Sequence, residues 1–285
     1  MAEGIPMSAA YSYDGTYGGL LCCLSETYEK KEMPAEVLSP EDTQTTLYPV
    51  REIATDPEKA ARADAAIAEK ISPAARELAR LGLLTCLAQK ELWILRFLRL
   101  GFHYGGDAVF MLANRTVLTL NKAVQNLKNE SHQYEGFVRF SVFGGALTSV
   151  IEPKNRVLPL LAPHFCDRYA NEAFLIYDRT HGMALVYQAG RREIIPLDDL
   201  ILPEPDEKEL EYRRLWRTMY RTIAIRERNN PKCRRTHMPK RYWKYLTEFQ
   251  SDDFPRRRSG ENSPVRKTEG NALQLPLGRG KIKEY

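Results

Sequence analysis

The chain has 285 residues, 43% of them hydrophobic and 28% charged, enough for one large domain or two smaller ones with a real core, which excludes a chain disordered throughout. No apolar run approaches the ~18 residues of a membrane span, and Met1–Ala10 has no basic region followed by an apolar stretch, so neither membrane insertion nor secretion is expected. The net charge of +5 is unevenly placed: residues 208–258 hold 16 Lys/Arg against 6 Asp/Glu, a net of +10, which leaves −5 for the rest.

In chain order, residues 8–13 read as a short strand. Asp14-Gly15-Thr16 then opens a helix to about Lys31, with Leu20, Leu21, Leu24 and Tyr28 at helical spacing. Met33–Val50, rich in Pro and Thr, reads as loop. The alanine-rich Pro57–Lys70 is helical by propensity. Ser72-Pro73 supplies a capping hydroxyl and a proline at the first helical position, so a helix follows and fades near Gly82. Leu84–Leu100 is a second apolar segment with Trp93, Phe97 and Leu100 on one face, and Gly106–Ser131 predicts a third helix.

At Gly136 the period changes. Phe137 to Phe143 starts as an alternation of apolar and polar residues and predicts a strand, Gly144-Gly145 a turn, and Ala146–Glu152 the second strand of a hairpin. Leu158–Tyr169 predicts a helix. Ala173–Tyr177 and Met183–Tyr187 predict a second hairpin, and Arg192–Leu197 an edge strand stopped by Pro196. Asp206–Arg228 reads as a long helix with acids at its start and arginines at its end. Tyr212, Leu215, Trp216, Met219 and Ile223 form one stripe, expected to pack. Arg214, Arg217, Arg221 and Arg228 form another, expected to face outward. Pro239 opens a last helix with Tyr242, Tyr245, Leu246 and Phe249 on its apolar side, and residues 251–285 form a polar tail expected to be disordered. The fold class is therefore α+β: a helical N-terminal half, a small antiparallel sheet with one packed helix, and C-terminal basic helices.

The five cysteines, Cys22, Cys23, Cys86, Cys166 and Cys233, include no CxxC, so no zinc or iron–sulfur set is expected and a reducing cytoplasm fits. No GxGxxG or P-loop accompanies a strand–helix unit, so no nucleotide cofactor is expected. The basic segment suits a polyanion or merely a solvated surface, and charge alone does not choose. In Lys232–Tyr245 cations alternate with aromatics: Arg and Lys can neutralise phosphates and aromatic rings can stack on unpaired bases. The candidates for nucleic-acid contact are Arg214, Arg217, Arg221, Arg228, Arg234, Arg235, His237, Lys240, Arg241 and Lys244. Tyr242 and Tyr245 fall on the apolar side and read as packing.

Acid–base chemistry has weaker candidates. His164 and Asp167 share a helix face while Cys166 points away, so two ligands at most converge there and a metal is not expected. Asp178, in Asp178-Arg179-Thr180-His181-Gly182, is explained by turn chemistry. Glu130 and His132, two apart, do not face each other on a helix. An enzyme acting on a base or nucleotide would need His164, Asp167 and Asp178 to meet in one pocket with Arg139 or Arg168.

Several motifs occur together: Tyr13-Asp14-Gly15-Thr16 with Gly19-Leu20-Leu21; Glu130 and His132 before Gly136-Phe137-Val138-Arg139-Phe140; Ile151-Glu152-Pro153; Leu158-Pro159-Leu160-Leu161-Ala162-Pro163-His164-Phe165-Cys166-Asp167-Arg168-Tyr169; Leu175-Ile176-Tyr177-Asp178-Arg179; and His237-Met238-Pro239-Lys240-Arg241-Tyr242-Trp243-Lys244-Tyr245-Leu246. In this order and spacing, over about residues 11–250, the chain resembles a family of bacterial DNA-metabolism proteins encoded beside a radical-SAM protein, some fused at the C-terminus to a uracil-DNA-glycosylase-like domain. The resemblance implies one continuous family domain over 8–250, with a helical part at 8–132 and a sheet and basic part at 133–250. It implies an accessory role in DNA repair or modification, with single-stranded or damaged DNA, a radical-SAM protein and a glycosylase-like protein as partners, and it carries no catalytic residues. The chain departs from the fused members in having no glycosylase water-activating loop, and it has no CxxxCxxC triad of a radical-SAM protein either. A protein-only scaffold is the remaining alternative.

Overall fold

The computed structural model describes residues 9–40, 45–202, 204–228 and 230–249; the predicted tail at 251–285 lies outside them. The chain divides into two compact units. One runs to Glu130 and takes back Lys154–Val157; the other comprises Ser131–Pro153 and the chain from Leu158.

The first unit begins with β1 (Ala10–Ser12), α1 (Tyr17–Glu29), β2 (Glu36–Leu38) and β3 (Val50–Glu52). These strands form a parallel sheet in the order β2-β1-β3. The sequence reading of 33–50 as loop is corrected here: strands of three residues are too short to show a side-chain period, and backbone pairing alone defines them. The helix start at 14–16 holds. Thr16 Oγ1 accepts from the Gly19 amide at 3.0 Å, and Asp14 Oδ1 accepts from the Thr16 amide at 2.9 Å.

α2 (Pro57–Lys70) is capped by Asp56, and α3 (Pro73–Leu83) by Ser72, whose hydroxyl accepts from the Ala75 amide. α4 (Lys90–Tyr104) is followed by a 3-10 turn, Gly105–Phe110, and by α5 (Arg115–Phe137). The predicted helix from Gly106 therefore starts at Arg115 instead. Leu20, Leu21, Ile67, Leu78, Leu95, Phe97, Leu98 and Leu120 join one core. Gly82 lets these helices close: a Cβ there would sit 2.9 Å from Leu120 Cδ1 and 3.1 Å from Ile94.

In the second unit, β4 (Ser141–Phe143), β5 (Ala146–Ile151), β6 (Phe174–Asp178), β7 (Met183–Gln188) and β8 (Arg191–Pro196) lie side by side in that order. The α+β class holds, with a mixed sheet where the sequence suggested an antiparallel one. β5 and β6 are parallel because α6 (Leu158–Arg168) connects them, and a helical crossover returns the chain in the same direction. The predicted strand over 137–143 shortens to β4, since α5 continues to Phe137 and the Val138 amide still donates to the Tyr134 carbonyl. Gly144 and Gly145 both take positive φ (58° and 83°), the pair of left-handed residues that a two-residue hairpin turn requires. On one face Leu175, Tyr177, Ala184 and Val186 pack together; elsewhere Phe140, Phe165, Tyr169, Phe174 and Tyr187 form an aromatic cluster.

The unit ends with α7 (Glu207–Thr222), a 3-10 turn at Arg226–Arg228, α8 (Pro231–His237) and 3-10 turns at Lys240–Tyr245 and Thr247–Phe249. The long helix predicted to Arg228 thus stops at Thr222, and the helix expected after Pro239 is a pair of 3-10 turns.

Candidate nucleic-acid interface

α7 determines which of its neighbours reach solvent. Asp206 caps it by accepting from the Glu209 amide at 2.8 Å. Glu209, buried, accepts from the Val142 amide at 3.3 Å, giving edge strand β4 an acceptor it would otherwise lack, and from Arg213 Nε at 2.8 Å. Arg213 in turn donates to Ser141 Oγ at 2.7 Å. Arg217 is only 7% exposed. Beyond these, Glu248 accepts from Arg139 Nη2 at 2.9 Å and from Trp216 Nε1 at 3.1 Å, and the Arg139 guanidinium lies 5.5 Å from the centre of the Trp216 ring. Burial pushes the Glu248 carboxyl up, but the Arg139 and Trp216 hydrogen bonds outweigh it and hold the pKa below its ordinary value.

The charged side of α7 therefore faces inward. The stripe expected to pack faces outward: Tyr212 and Leu215 are each 57% exposed, Met219 44%, Trp216 37% and Ile223 68%. This overturns the predicted facing, and it removes Arg217 from the outward arginine stripe. A charged inner face is tolerable where its groups are partnered, as Glu209 is with the Val142 amide and Arg213, and Arg213 with Ser141.

The remaining cations sort by their partners. Arg214, Arg221, Arg228, Arg235, His237 and Lys240 are exposed, and among the described residues no carboxylate lies in ion-pair range of any of them. Lys208 and Lys232 share that condition; sequence reasoning did not single them out, although the run Lys232-Cys233-Arg234-Arg235 carried the signal. Arg234, half-buried, stacks 5.3 Å from the Trp243 ring centre and 5.6 Å from that of Phe249, the two rings being stacked on each other at 4.5 Å. Arg241 hydrogen-bonds to the Tyr242 hydroxyl. Lys244 donates to Glu152 Oε1 at 2.7 Å, as does the Tyr245 hydroxyl at 2.5 Å. Tyr242 is buried, edge-on to Tyr134, with its hydroxyl donating to Gln133. Tyr242 thus packs, as its place on the apolar side implied.

The three acid–base candidates are not brought together. Asp178 ends β6 at its carboxyl end. Its Oδ1 accepts from the Thr180 and His181 amides, and its Oδ2 lies 2.6 Å from His181 Nδ1. His164 and Asp167 sit on α6, which runs back across the sheet, so that Tyr169 just beyond it meets Phe174 at the opposite end of β6. Four strand residues, about 13 Å, separate that end from Asp178. His164 contacts the Phe165 ring, and Asp167 is exposed. One cleft, lined by Tyr134, Phe137, Arg139, Ser149, Tyr242 and Tyr245, contains none of the three. Among the described residues no group of three His, Cys, Asp or Glu converges as a metal would need. Glu130 is occupied elsewhere: it accepts from the Lys154 and Asn155 amides and from Asn155 Nδ2 at 2.7 Å, while His132 pairs with Glu135.

The second unit is thus an α+β fold whose C-terminal segment carries a concentration of exposed basic side chains. The chain belongs to the family described as a domain of unknown function, DUF4130, which matches residues 88–248, from the turn before α4 to the last 3-10 turn. Comparison with curated proteins and with solved structures finds no match. No helix among the described residues is long and apolar enough to cross a membrane.

Proposed function

We propose that this protein binds nucleic acid through the exposed cations of its C-terminal region, as an accessory factor of DNA repair or modification working with a radical-SAM or uracil-DNA-glycosylase-like partner. One observation carries the reading: Arg214, Arg221, Arg228, Lys232, Arg235 and Lys240 are solvent-facing with no carboxylate of the described residues in range, whereas Arg139, Arg213 and Lys244 of the same unit are tied to acids. Lysines and arginines without such a partner, in the basic segment of a chain that is acidic elsewhere, attract a polyanion and release its counterions on binding. The repair context and the two partners rest on the family resemblance of the sequence motifs.

The test is fluorescence anisotropy with DNA oligonucleotides over a salt series. Binding should weaken steeply with salt, and the triple variant Lys232→Glu, Arg235→Glu, Lys240→Glu should lose both affinity and salt slope. Arg234 is left intact because its stacking on Trp243 and Phe249 gives it a packing role. Undiminished affinity in the triple variant would sink the reading.

A further inference from the structure

The outward face of α7 is both apolar and basic, and nothing in its predicted packing role accounts for that. Lys208, Tyr212 and Trp216 follow one another at four-residue steps, and all three are exposed. Leu215 and Met219 lie beside this row and are exposed as well. Arg214 and Arg221, seven apart, are exposed on the far side of the helix from Tyr212 and Trp216. The Trp216 ring is held in place, its edge by the hydrogen bond to Glu248 and one face by the Arg139 guanidinium.

We infer that this face of α7 is a binding ridge for single-stranded nucleic acid, with Tyr212 and Trp216 as base-stacking platforms and Lys208 as a phosphate contact. The inference rests on the nucleic-acid reading above and names its site and substrate class. A single strand is itself amphipathic, presenting flat apolar bases on one side and charged phosphates on the other, and the ridge offers both complements along one helix. Four residues of helix rise about 6 Å, against about 3.4 Å between stacked bases. Successive bases would therefore rest on separate rings and not on each other, which a stretched single strand can do and a duplex cannot. A ring already fixed by Glu248 and Arg139 has little freedom to lose on binding, so stacking on it is favourable. Glu211 lies on the same arc and opposes phosphate.

The experiment measures affinities of the full chain for a single-stranded oligonucleotide and for the matching duplex. Tyr212→Ala, at an exposed position, should weaken single-strand binding roughly tenfold and leave duplex binding and far-UV circular dichroism unchanged. Glu211→Gln should tighten single-strand binding. Trp216→Phe keeps a ring without the indole hydrogen bond and should weaken single-strand binding less than Tyr212→Ala does. If the wild-type chain binds no oligonucleotide at all, the nucleic-acid reading fails and this one with it. If it binds strand and duplex alike and Tyr212→Ala changes neither, the ridge proposal alone fails. If Leu215→Glu changes the sedimentation mass from that of the wild type without changing single-strand affinity, the face is a protein interface and the proposal is overturned.

Discussion

Helices α1 and α7 are both amphipathic, yet they are mounted in opposite senses. α1 turns Leu20, Leu21 and Leu24 into a core and is held there by apolar burial. α7 turns Glu209, Arg213 and Arg217 inward and is held by hydrogen bonds to Ser141 and Val142, with Trp216 joined to Glu248 and Tyr212, Leu215 and Met219 left in water. The hydrophobic stripe says that a helix forms; it does not say which side of the helix the protein uses for itself. Where the inner side is charged and partnered, the apolar side is available for something else.

That contrast can be broken most directly by truncating a leucine in each unit. Leu95→Ala, at a fully buried position of the first unit, should cost about 3 kcal/mol in urea denaturation, whereas Leu215→Ala on α7 should change stability by less than about 0.5 kcal/mol. Equal losses would mean that α7 packs as α1 does. Next in size, Glu248→Gln should cost about 2 kcal/mol by removing a charged acceptor from Arg139 and Trp216. The carboxyl has a lower pKa folded than unfolded, so its contribution is complete above the ordinary value of 4.5 and fades as pH falls below it. Wild type and variant should therefore converge in acid, and a gap independent of pH would remove Glu248 as the anchor of this end. Smallest, Ser72→Ala should lower the stability of the first unit by about 1 kcal/mol, the loss of one capping acceptor for the Ala75 amide, and leave nucleic-acid affinity untouched.

Much of the fold could be read from local chemistry. Ser72-Pro73 placed a helix start, the alanine-rich run Pro57–Lys70 a helix, Gly144-Gly145 a turn, and the strands around Thr180-His181-Gly182 followed from turn residues between apolar runs. What escaped depended on partners distant in sequence. β2 and β3 exist through pairing with β1, and each is too short to have a pattern of its own. The direction of β6 is set by the crossover through α6. The facing of α7 is decided by Ser141, Val142 and Glu248, which no window around 207–222 contains. The site suffered in the same way: composition identified the basic region, but telling cations tied to a carboxylate, such as Lys244, from those with none in range among the described residues, such as Lys240, required knowing where Glu152 lies.

The short return of Lys154–Val157 to the first unit has a consequence for synthesis. The buried Glu130 carboxylate is satisfied by the Lys154 and Asn155 amides, the Asn155 carboxamide accepts from the Cys86 amide, and the Arg156 amide reaches the Leu84 carbonyl. These particular hydrogen bonds cannot form while the chain ends before residues 154–156. The N-terminal unit of a growing chain is therefore incomplete until β4 and β5, strands of the other unit, have also been made. A ribosome pausing between Glu130 and Lys154 would hold out a first unit still without this loop, and a fragment cut to the family boundaries at 88–248 would carry the loop without Leu84 and Cys86 to receive it.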